Sequence, residues 1–502
     1  VTPAVSILVA VRDGEVEATL RTVASLQRQD ESNWQMVLAG TALPEVDDHR
    51  VKRMLAPLAG DAAPPTADLL EAALGLAEGG HTGVLGAGDE LEPGALSAVL
   101  PLLASSDVVY TDEQWPGDDG TGVFRKPDYL PHYHAGYSYL GRLTLVSTAL
   151  ARQVGGFRSG FDGAEEWDLA LRACEAAGRV AHLPAIAVTR PTPPPDDDAV
   201  SDACLRVAQD RITRSGRPGA AERSAMPRGV RTWWAVDEQP LVSIVIPTAG
   251  GRGEVRGKER VLVESCLTSL VTRTTGARWE VVLVTSERTP AEVVERCREI
   301  VGDRLTIAPV AGAFNFSTSV NEGARVARGE LVLLLNDDTE AVEPRWLERM
   351  VAVIQEPDVG VVGAKLLFED STLQHVGVSF DDSGGPIHVL GSEVDGIGRF
   401  GTKTLDIDYE AVTGACLLTS AELFERVGGF AESLPLSFND VDFCLKVRAQ
   451  GWSVVCTPAA ILFHYESGTR RHTVSTDEFQ AIDRRWGLRR RLDPHVQYRS
   501  RL

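Results

Sequence analysis

Long apolar runs, paired cysteines and positive charge are what this chain is short of. No apolar stretch approaches the roughly 20 residues that a membrane helix needs. The start, Val1-Thr-Pro-Ala-Val-Ser6, lacks the basic and apolar regions of a signal peptide. The 7 cysteines are scattered, with no Cys-x-x-Cys pair. Cys416 in Gly-Ala-Cys-Leu-Leu and Cys444 in Asp-Phe-Cys-Leu sit in apolar surroundings, which predicts buried free thiols in a reducing compartment. Lys and Arg number 50 against 71 Asp and Glu, a net charge of -21. That balance excludes a nucleic-acid partner, because phosphate backbones select basic surfaces. It leaves small anionic substrates open, since these need only a local positive site. With 502 residues, 43% hydrophobic and 24% charged, the chain reads as a soluble cytoplasmic enzyme of two or three domains.

What is present centres on Leu331-Val-Leu-Leu-Leu-Asn-Asp-Asp-Thr339. The apolar run reads as a strand buried on both faces, as at the centre of a parallel sheet. It ends abruptly in Asn336, Asp337 and Asp338. Ligands of open α/β sheets bind beyond the carboxyl ends of the strands. Adjacent carboxylates there repel each other unless a cation or donors compensate, and a hard divalent cation also binds phosphate oxygens. The segment alone is read equally well as a metal-diphosphate site and as an Asp-rich turn.

Two stretches repeat one theme. Val5-Ser-Ile-Leu-Val-Ala-Val11 and Val242-Ser-Ile-Val-Ile-Pro247 are β-branched strands, each followed by a helical pattern and a second strand. Each half later carries Val-Gly-Gly-Phe, at Val154 to Phe157 and Val427 to Phe430. An acidic helix start follows, Glu165-Glu-Trp-Asp-Leu and Asn439-Asp-Val-Asp-Phe. Shared order over this length predicts an internal duplication. Between the halves Arg190-Pro-Thr-Pro-Pro-Pro-Asp-Asp-Asp198 reads as a linker. A helix with apolar positions Ala203, Val207 and Ile212 follows it. The expected domains are 1–190, a linker with a helix over 191–239, and 240–502. Alternating strands and helices make each half α/β with a mostly parallel sheet.

In the second half, Ser319 with Glu322 fits a capping box, so a helix is expected to begin there. Phe438 to Gly451 reads as a helix with Asn439 at its cap and Asp440 in the first turn, where free amides favour an ionised carboxylate. Such a carboxylate facing a cleft can take a proton from a sugar hydroxyl. Asp442 is read as capping chemistry alone. Ile461-Leu-Phe-His-Tyr-Glu466 ends a strand in His464, which can complete a metal shell begun by Asp338. His375 and His388 are read as packed or surface residues sooner than as ligands.

Taken in order, Pro-Leu-Val-Ser-Ile-Val-Ile-Pro-Thr248, Phe314-Asn-Phe-Ser317, Leu335-Asn-Asp-Asp-Thr339, Val361-Val-Gly-Ala-Lys-Leu366, Gln374-His-Val-Gly377, Thr413-Gly-Ala-Cys416, Phe438-Asn-Asp-Val-Asp-Phe443 and His464-Tyr-Glu-Ser467 resemble the family 2 glycosyltransferases of bacterial cell-surface polysaccharide synthesis. The resemblance covers residues 240 to 475. It implies the Rossmann-like GT-A fold, a nucleotide-diphosphate sugar donor, Mn²⁺ or Mg²⁺, and inversion at the anomeric carbon. By the same resemblance Thr248, Asn336 and Asp337 bind the nucleotide sugar, Asp338 and His464 hold the metal, and Asp440 is the catalytic base. The acceptor implied is a glycan or a polyprenyl-linked glycan. Two departures stand out. The second strand ends in Val281-Val-Leu-Val-Thr-Ser286, with Thr285 where many members carry an Asp for the nucleotide base. Gly250 to Lys258 is an insertion, read as a surface loop.

Residues 1 to about 190 resemble the same family more weakly. Gly86-Ala-Gly-Asp-Glu-Leu91 stands at the metal motif with Asp89 surviving, Glu166 takes the base position and Thr189 stands near the metal histidine's place. The expectation is two GT-A-like domains, the first degenerate and either supporting the second or binding acceptor glycan. The rival expectation is a non-catalytic glycan-binding or scaffold protein. The tail, Arg484-Arg-Trp-Gly-Leu-Arg-Arg-Arg-Leu492, has the composition both of a segment lying on anionic lipid and of a solvated helix end. Peripheral contact with the inner face of the cell membrane therefore stays open.

Overall fold

The computed structural model describes residues 3–56, 64–117, 120–236, 239–381, 384–389, 397, 401–466 and 475–490. The chain divides into two compact units, one of residues up to 216 together with 221–230, the other of 217–220 and of residues from 231 onward.

The first unit is built on a sheet of β1 (Val5–Val11), β2 (Trp34–Gly40), β3 (Val51–Leu55), β4 (His81–Val84), β5 (Glu90–Leu91), β6 (Val108–Gly117), β7 (Leu145–Ser147) and β8 (Val180–Thr189). Their order is β3-β2-β1-β4-β7-β6-β8-β5. The second unit has β9 (Leu241–Thr248), β10 (Arg278–Ser286), β11 (Leu305–Val310), β12 (Leu331–Leu335), β13 (Thr339–Ala341), β14 (Val359–Leu367), β15 (Cys416–Ser420) and β16 (Ser453–His464). Its order is β11-β10-β9-β12-β15-β14-β16-β13, the same arrangement strand for strand. The strand directions match as well. β1 to β4 and β9 to β12 are mutually parallel, while β7 and β15 run against both their neighbours. The architecture is α/β with two Rossmann-like domains, as the sequence predicts.

The duplication extends to side chains. Ser6 Oγ donates to Gln35 Oε1 at 2.7 Å and accepts from Gly79 N at 2.8 Å. Ser243 Oγ donates to Glu280 Oε1 at 2.6 Å and accepts from Gly329 N at 2.9 Å. In each unit this buried serine ties the first strand to the second and to the turn that enters the fourth.

Every residue of β12 is buried, because helices cover both faces of the parallel strands. On one face Val242, Ile244, Ile246 and Leu333 share a core with Leu267 and Leu270 of the helix Leu262–Arg273 and with Met350 of the helix Trp346–Ile354. On the other lies the helix Phe316–Val326. A Cβ on its Gly323 would stand 2.3 Å from Val245 Cγ1, so only glycine lets this helix come so close. The helix starts one turn before the expected capping box. Asn315 is the cap, its side chain accepting from Thr318 N at 3.1 Å, and Glu322 pairs instead with Arg325. The insertion after β9 is a hairpin, Arg252–Val255 with Lys258–Val261.

The linker expected over 191–239 is shorter than that. The helix α1 (Asp198–Ser215) is capped by Asp197, which accepts from Val200 N at 3.0 Å. Its Ala203, Cys204, Val207 and Ala208 bury against Trp167 and Leu171 within the first unit. The amphipathic face legible in the sequence is a docking face, so 198–216 belongs to the first unit.

Candidate active site

The carboxyl ends of β9, β10 and β12 lie side by side because β9 pairs in parallel with both neighbours. Thr248 closes β9, and its hydroxyl donates to Asp337 Oδ2 at 2.6 Å. Thr285 is the register partner of Thr248, so a neutral hydroxyl closes β10 beside it. The turn after β12 is held by Thr339 Oγ1, which donates to Asn336 O at 2.9 Å. β13 then pairs antiparallel with the end of β16, with Thr339 opposite His464. That register brings His464 Nε2 to 3.2 Å from Asp338 Oδ1 and to 3.2 Å from Asn336 Nδ2.

Gln374 sets the tautomer of His464. Its Nε2 donates to the His464 backbone oxygen at 3.2 Å, so its Oε1 faces His464 Nδ1, at 2.8 Å. Nδ1 therefore carries the proton and Nε2 presents its lone pair towards Asn336 and Asp338. A lone pair and a carboxylate oxygen 3.2 Å apart are the spacing of adjacent ligands on one small cation, since bonds of about 2.1 Å at a right angle set ligand atoms about 3 Å apart. Among the described residues no three His, Cys, Asp or Glu side chains converge as a complete metal cage. Two protein ligands fit a cation whose remaining positions are filled by phosphate oxygens and water, the usual habit of Mg²⁺. Gln374 lay in a quoted motif, but only the structure shows that it orients a candidate ligand.

Asp440 lies in the first turn of α2 (Asn439–Ala449), which follows Phe438 at φ 60°. Its Oδ2 accepts from Gly414 N and its Oδ1 from Val441 N, both at 2.8 Å. The loop that supplies Gly414 also supplies Ala415, whose carbonyl accepts from Asn336 N at 3.0 Å. One short segment thus holds both the base candidate and the turn of the metal motif. Asp442 is wholly buried and accepts from Trp486 Nε1 at 2.8 Å, with Arg485 Nε at 3.2 Å and Lys446 Nζ at 3.4 Å. It is structural, as read from sequence.

Two histidines join this neighbourhood. His375 and His388 meet Nδ1 to Nδ1 at 2.8 Å, and His375 Nε2 lies 3.4 Å from Thr413 N. Burial pushes the pKa of His375 well below the usual histidine value and lowers that of His388, against the pull of nearby Asp440. Both rings are neutral at pH 7. Beside the site, Glu340 accepts from Arg256 at the hairpin tip (2.9 Å) and from Tyr465 Oη (3.0 Å). The pKa of Tyr465 is raised to about 12, chiefly by desolvation and then by Glu340.

The tail, read both as a lipid-surface segment and as a solvated helix end, is partly committed within the second unit. Arg485 and Trp486 belong to the helix Thr476–Arg490 and reach Asp442. The side chains of 488–490 and all of 491–492 lie outside the described residues. No helix among the described residues is long and apolar enough to cross a membrane.

In the first unit the same positions carry different chemistry. Leu91 pairs with Val188 and Glu90 with Thr189, as Ala341 pairs with Leu462 and Glu340 with Phe463. The residue at the place of His464 is therefore Arg190, and the expectation of Thr189 there was off by one. Gly86, Ala87 and Gly88 stand for Asn336, Asp337 and Asp338, and Glu166 stands for Asp440, each being the second residue of its helix.

Residues 240–487 match the family model described as glycosyltransferase like family 2. The chain is 31% identical to the uncharacterized protein y4gI of Sinorhizobium fredii over 98% of its own length and 57% of that protein's. It is 33% identical to the O-antigen biosynthesis protein RfbC of Myxococcus xanthus over 93% of its own length and 38% of that protein's. The chain thus spans about half the length of these relatives or less. Among solved structures, GalNAc-T7 with UDP, GalNAc and Mn²⁺ aligns at a TM-score of 0.40 and 16% identity, over 51% of this chain and 50% of that one. So distant a likeness bears on neither donor nor metal.

Proposed function

From the match of residues 240–487 to the model described as glycosyltransferase like family 2, we propose that this chain moves a sugar from a nucleotide-diphosphate donor to a glycan or polyprenyl-linked glycan in cell-surface polysaccharide synthesis, with inversion. The observation that carries the proposal is the convergence of Thr248 with Asp337, and of Asp338 with His464, at the carboxyl edge of one sheet, with Asp440 tied to the same turn through Gly414 and Ala415. A capped Asp-rich turn would need none of these long-range partners.

The reaction follows from these positions. Thr248 donates to Asp337 and fixes its carboxylate at the strand end, where it would meet a hydroxyl of the donor. Asp338 and His464 would hold Mn²⁺ or Mg²⁺, which when bound neutralises the leaving diphosphate. Asp440, held in place by Gly414 N and Val441 N, takes the proton of the acceptor hydroxyl as that oxygen attacks the anomeric carbon. The first unit, with glycine and alanine at the metal motif, is read as non-catalytic.

The test is a thermal-shift titration of nucleoside diphosphates with Mn²⁺ on the intact chain. A bound ligand raises native stability by mass action, and Asp338→Ala should abolish the Mn²⁺-dependent part with an unchanged circular-dichroism spectrum. A shift that persists in the variant removes Asp338 from the site.

A further inference from the structure

The first unit does not merely lack the groups of the second; it has put arginines in their place. Arg142 Nε lies 2.9 Å from Asp89 Oδ2, and the same guanidinium bonds Glu166, the counterpart of Asp440. One side-chain cation thus bridges Asp89, next to the Gly86-Ala-Gly88 turn and at the place of Thr339, and Glu166, at the place of Asp440. Arg190, at the place of His464, lies 3.6 Å from Glu113 Oε1, and Arg142 N donates to Glu113 Oε2 at 2.9 Å. Burial lowers the pKa of Arg190, and the neighbouring guanidinium of Arg142 lowers it further, as does Arg228.

These arginines surround a cleft of about 290 Å³, lined by Arg12, Asp89, Arg142, Glu166, Arg190 and Arg228 among others. The volume is at the small end of ligand pockets, enough for one sugar unit with its charged group. Two observations point to an anion inside it. Arg190 Nε and Arg228 Nε are buried N–H groups with no hydrogen-bond acceptor among the described residues. Buried donors without partners are rare, and an oxyanion is what satisfies several guanidinium groups at once. Among the described residues, moreover, no carboxylate pairs with Arg228 or with Arg12, whose guanidinium reaches only Thr66 Oγ1, at 2.5 Å.

We propose that this cleft of the first unit binds a phosphate-bearing sugar without any divalent cation, through Arg190, Arg228 and Arg12, while Arg142 takes the structural part a metal would otherwise play. The sugar half of the assignment rests on the reading of the second unit as a sugar-nucleotide site, since the two clefts occupy the same place in duplicated folds. The phosphate half rests on the arginines alone.

The two halves separate in one experiment. The full chain carrying Asp338→Ala is titrated calorimetrically in EDTA with a hexose 1-phosphate, with inorganic phosphate and with the free hexose. The expected result is one hexose 1-phosphate per chain, bound more tightly than inorganic phosphate, and no binding of the free hexose. Arg190→Gln and Arg228→Gln should each weaken it about tenfold or more, the scale of a lost hydrogen bond to a charged group. The exposed Arg12→Gln serves as the variant with no folding risk and should weaken it too. Absence of hexose 1-phosphate binding, or binding indifferent to all three substitutions, overturns the proposal. Equal affinity for inorganic phosphate overturns its sugar half. The Mn²⁺-dependent shift of the unsubstituted chain reports separately on the second unit.

Discussion

Gln374→Leu isolates the part of the candidate site that no ligand list contains. Gln374 is nearly inaccessible, at 6% exposure, and holds His464 at two points, Nδ1 at 2.8 Å and the backbone oxygen at 3.2 Å. Leucine fills a similar volume but neither accepts nor donates. The Nδ1–H then has no acceptor, the tautomer is no longer fixed, and the ring can turn Nε2 away from Asp338. Loss of such an outer partner weakens metal binding by about 10- to 100-fold, or about 1.4 to 2.7 kcal/mol. Stability should fall as well, by about 1 to 3 kcal/mol for the buried groups left unpaired. Gln374→Glu provides the control. A carboxylate still accepts from Nδ1 and makes the imidazole a better ligand, though it no longer donates to the backbone. Mn²⁺ affinity in the presence of a nucleoside diphosphate, followed by electron paramagnetic resonance, should drop in the leucine variant and hold in the glutamate variant. Equal affinity in the leucine variant and the unsubstituted chain would refute the orienting role. Equal losses in both variants would show that packing, and not the tautomer, matters at this position.

Asp440→Asn keeps the size and one of the two acceptor oxygens but not the basicity, and should cut turnover about 10²-fold or more with donor affinity unchanged; near-normal turnover would move the base elsewhere. His134 is wholly buried, and desolvation, with a smaller contribution from Arg211, lowers its pKa to about 3. The unfolded chain takes up this proton near pH 6.5 and the folded chain does not, so stability is complete above pH 6.5 and falls as pH drops towards 3. His134→Phe should remove about 2 kcal/mol of destabilisation at pH 5 relative to pH 7, and parallel pH profiles of unfolding would reject the assignment. Trp486→Phe deletes the donor to buried Asp442 and should cost about 1.5 to 3 kcal/mol. Limited proteolysis should then cut the helix Thr476–Arg490, and an unaltered digestion pattern would mean that Asp442 does not anchor it.

Much of this protein was legible from local pattern. The apolar run Leu331–Leu335 announced a strand buried on both faces, and its acidic end announced the turn where Asp337 and Asp338 meet Thr248 and His464. Repeated Val-Ser-Ile strands and Val-Gly-Gly-Phe turns announced the duplication, and the two sheets share one strand order. The amphipathic face of α1 was visible too, but its destination was not, so a docked helix read as linker. Asn336 and His464, 128 residues apart, meet because β13 pairs with β16 in one register; Gln374 and His464, 90 apart, meet because β14 pairs both with Leu373–His375 and with β16. In the first unit a shift of one residue decided whether Thr189 or Arg190 faced the cleft, and only the pairing of Glu90 with Thr189 decided it. Hydrophobic periodicity is a property of neighbouring residues, so the chain states its strands and helices on its own. Strand register and ion partners depend on burying both faces of a sheet at once, and that condition exists only in the folded molecule.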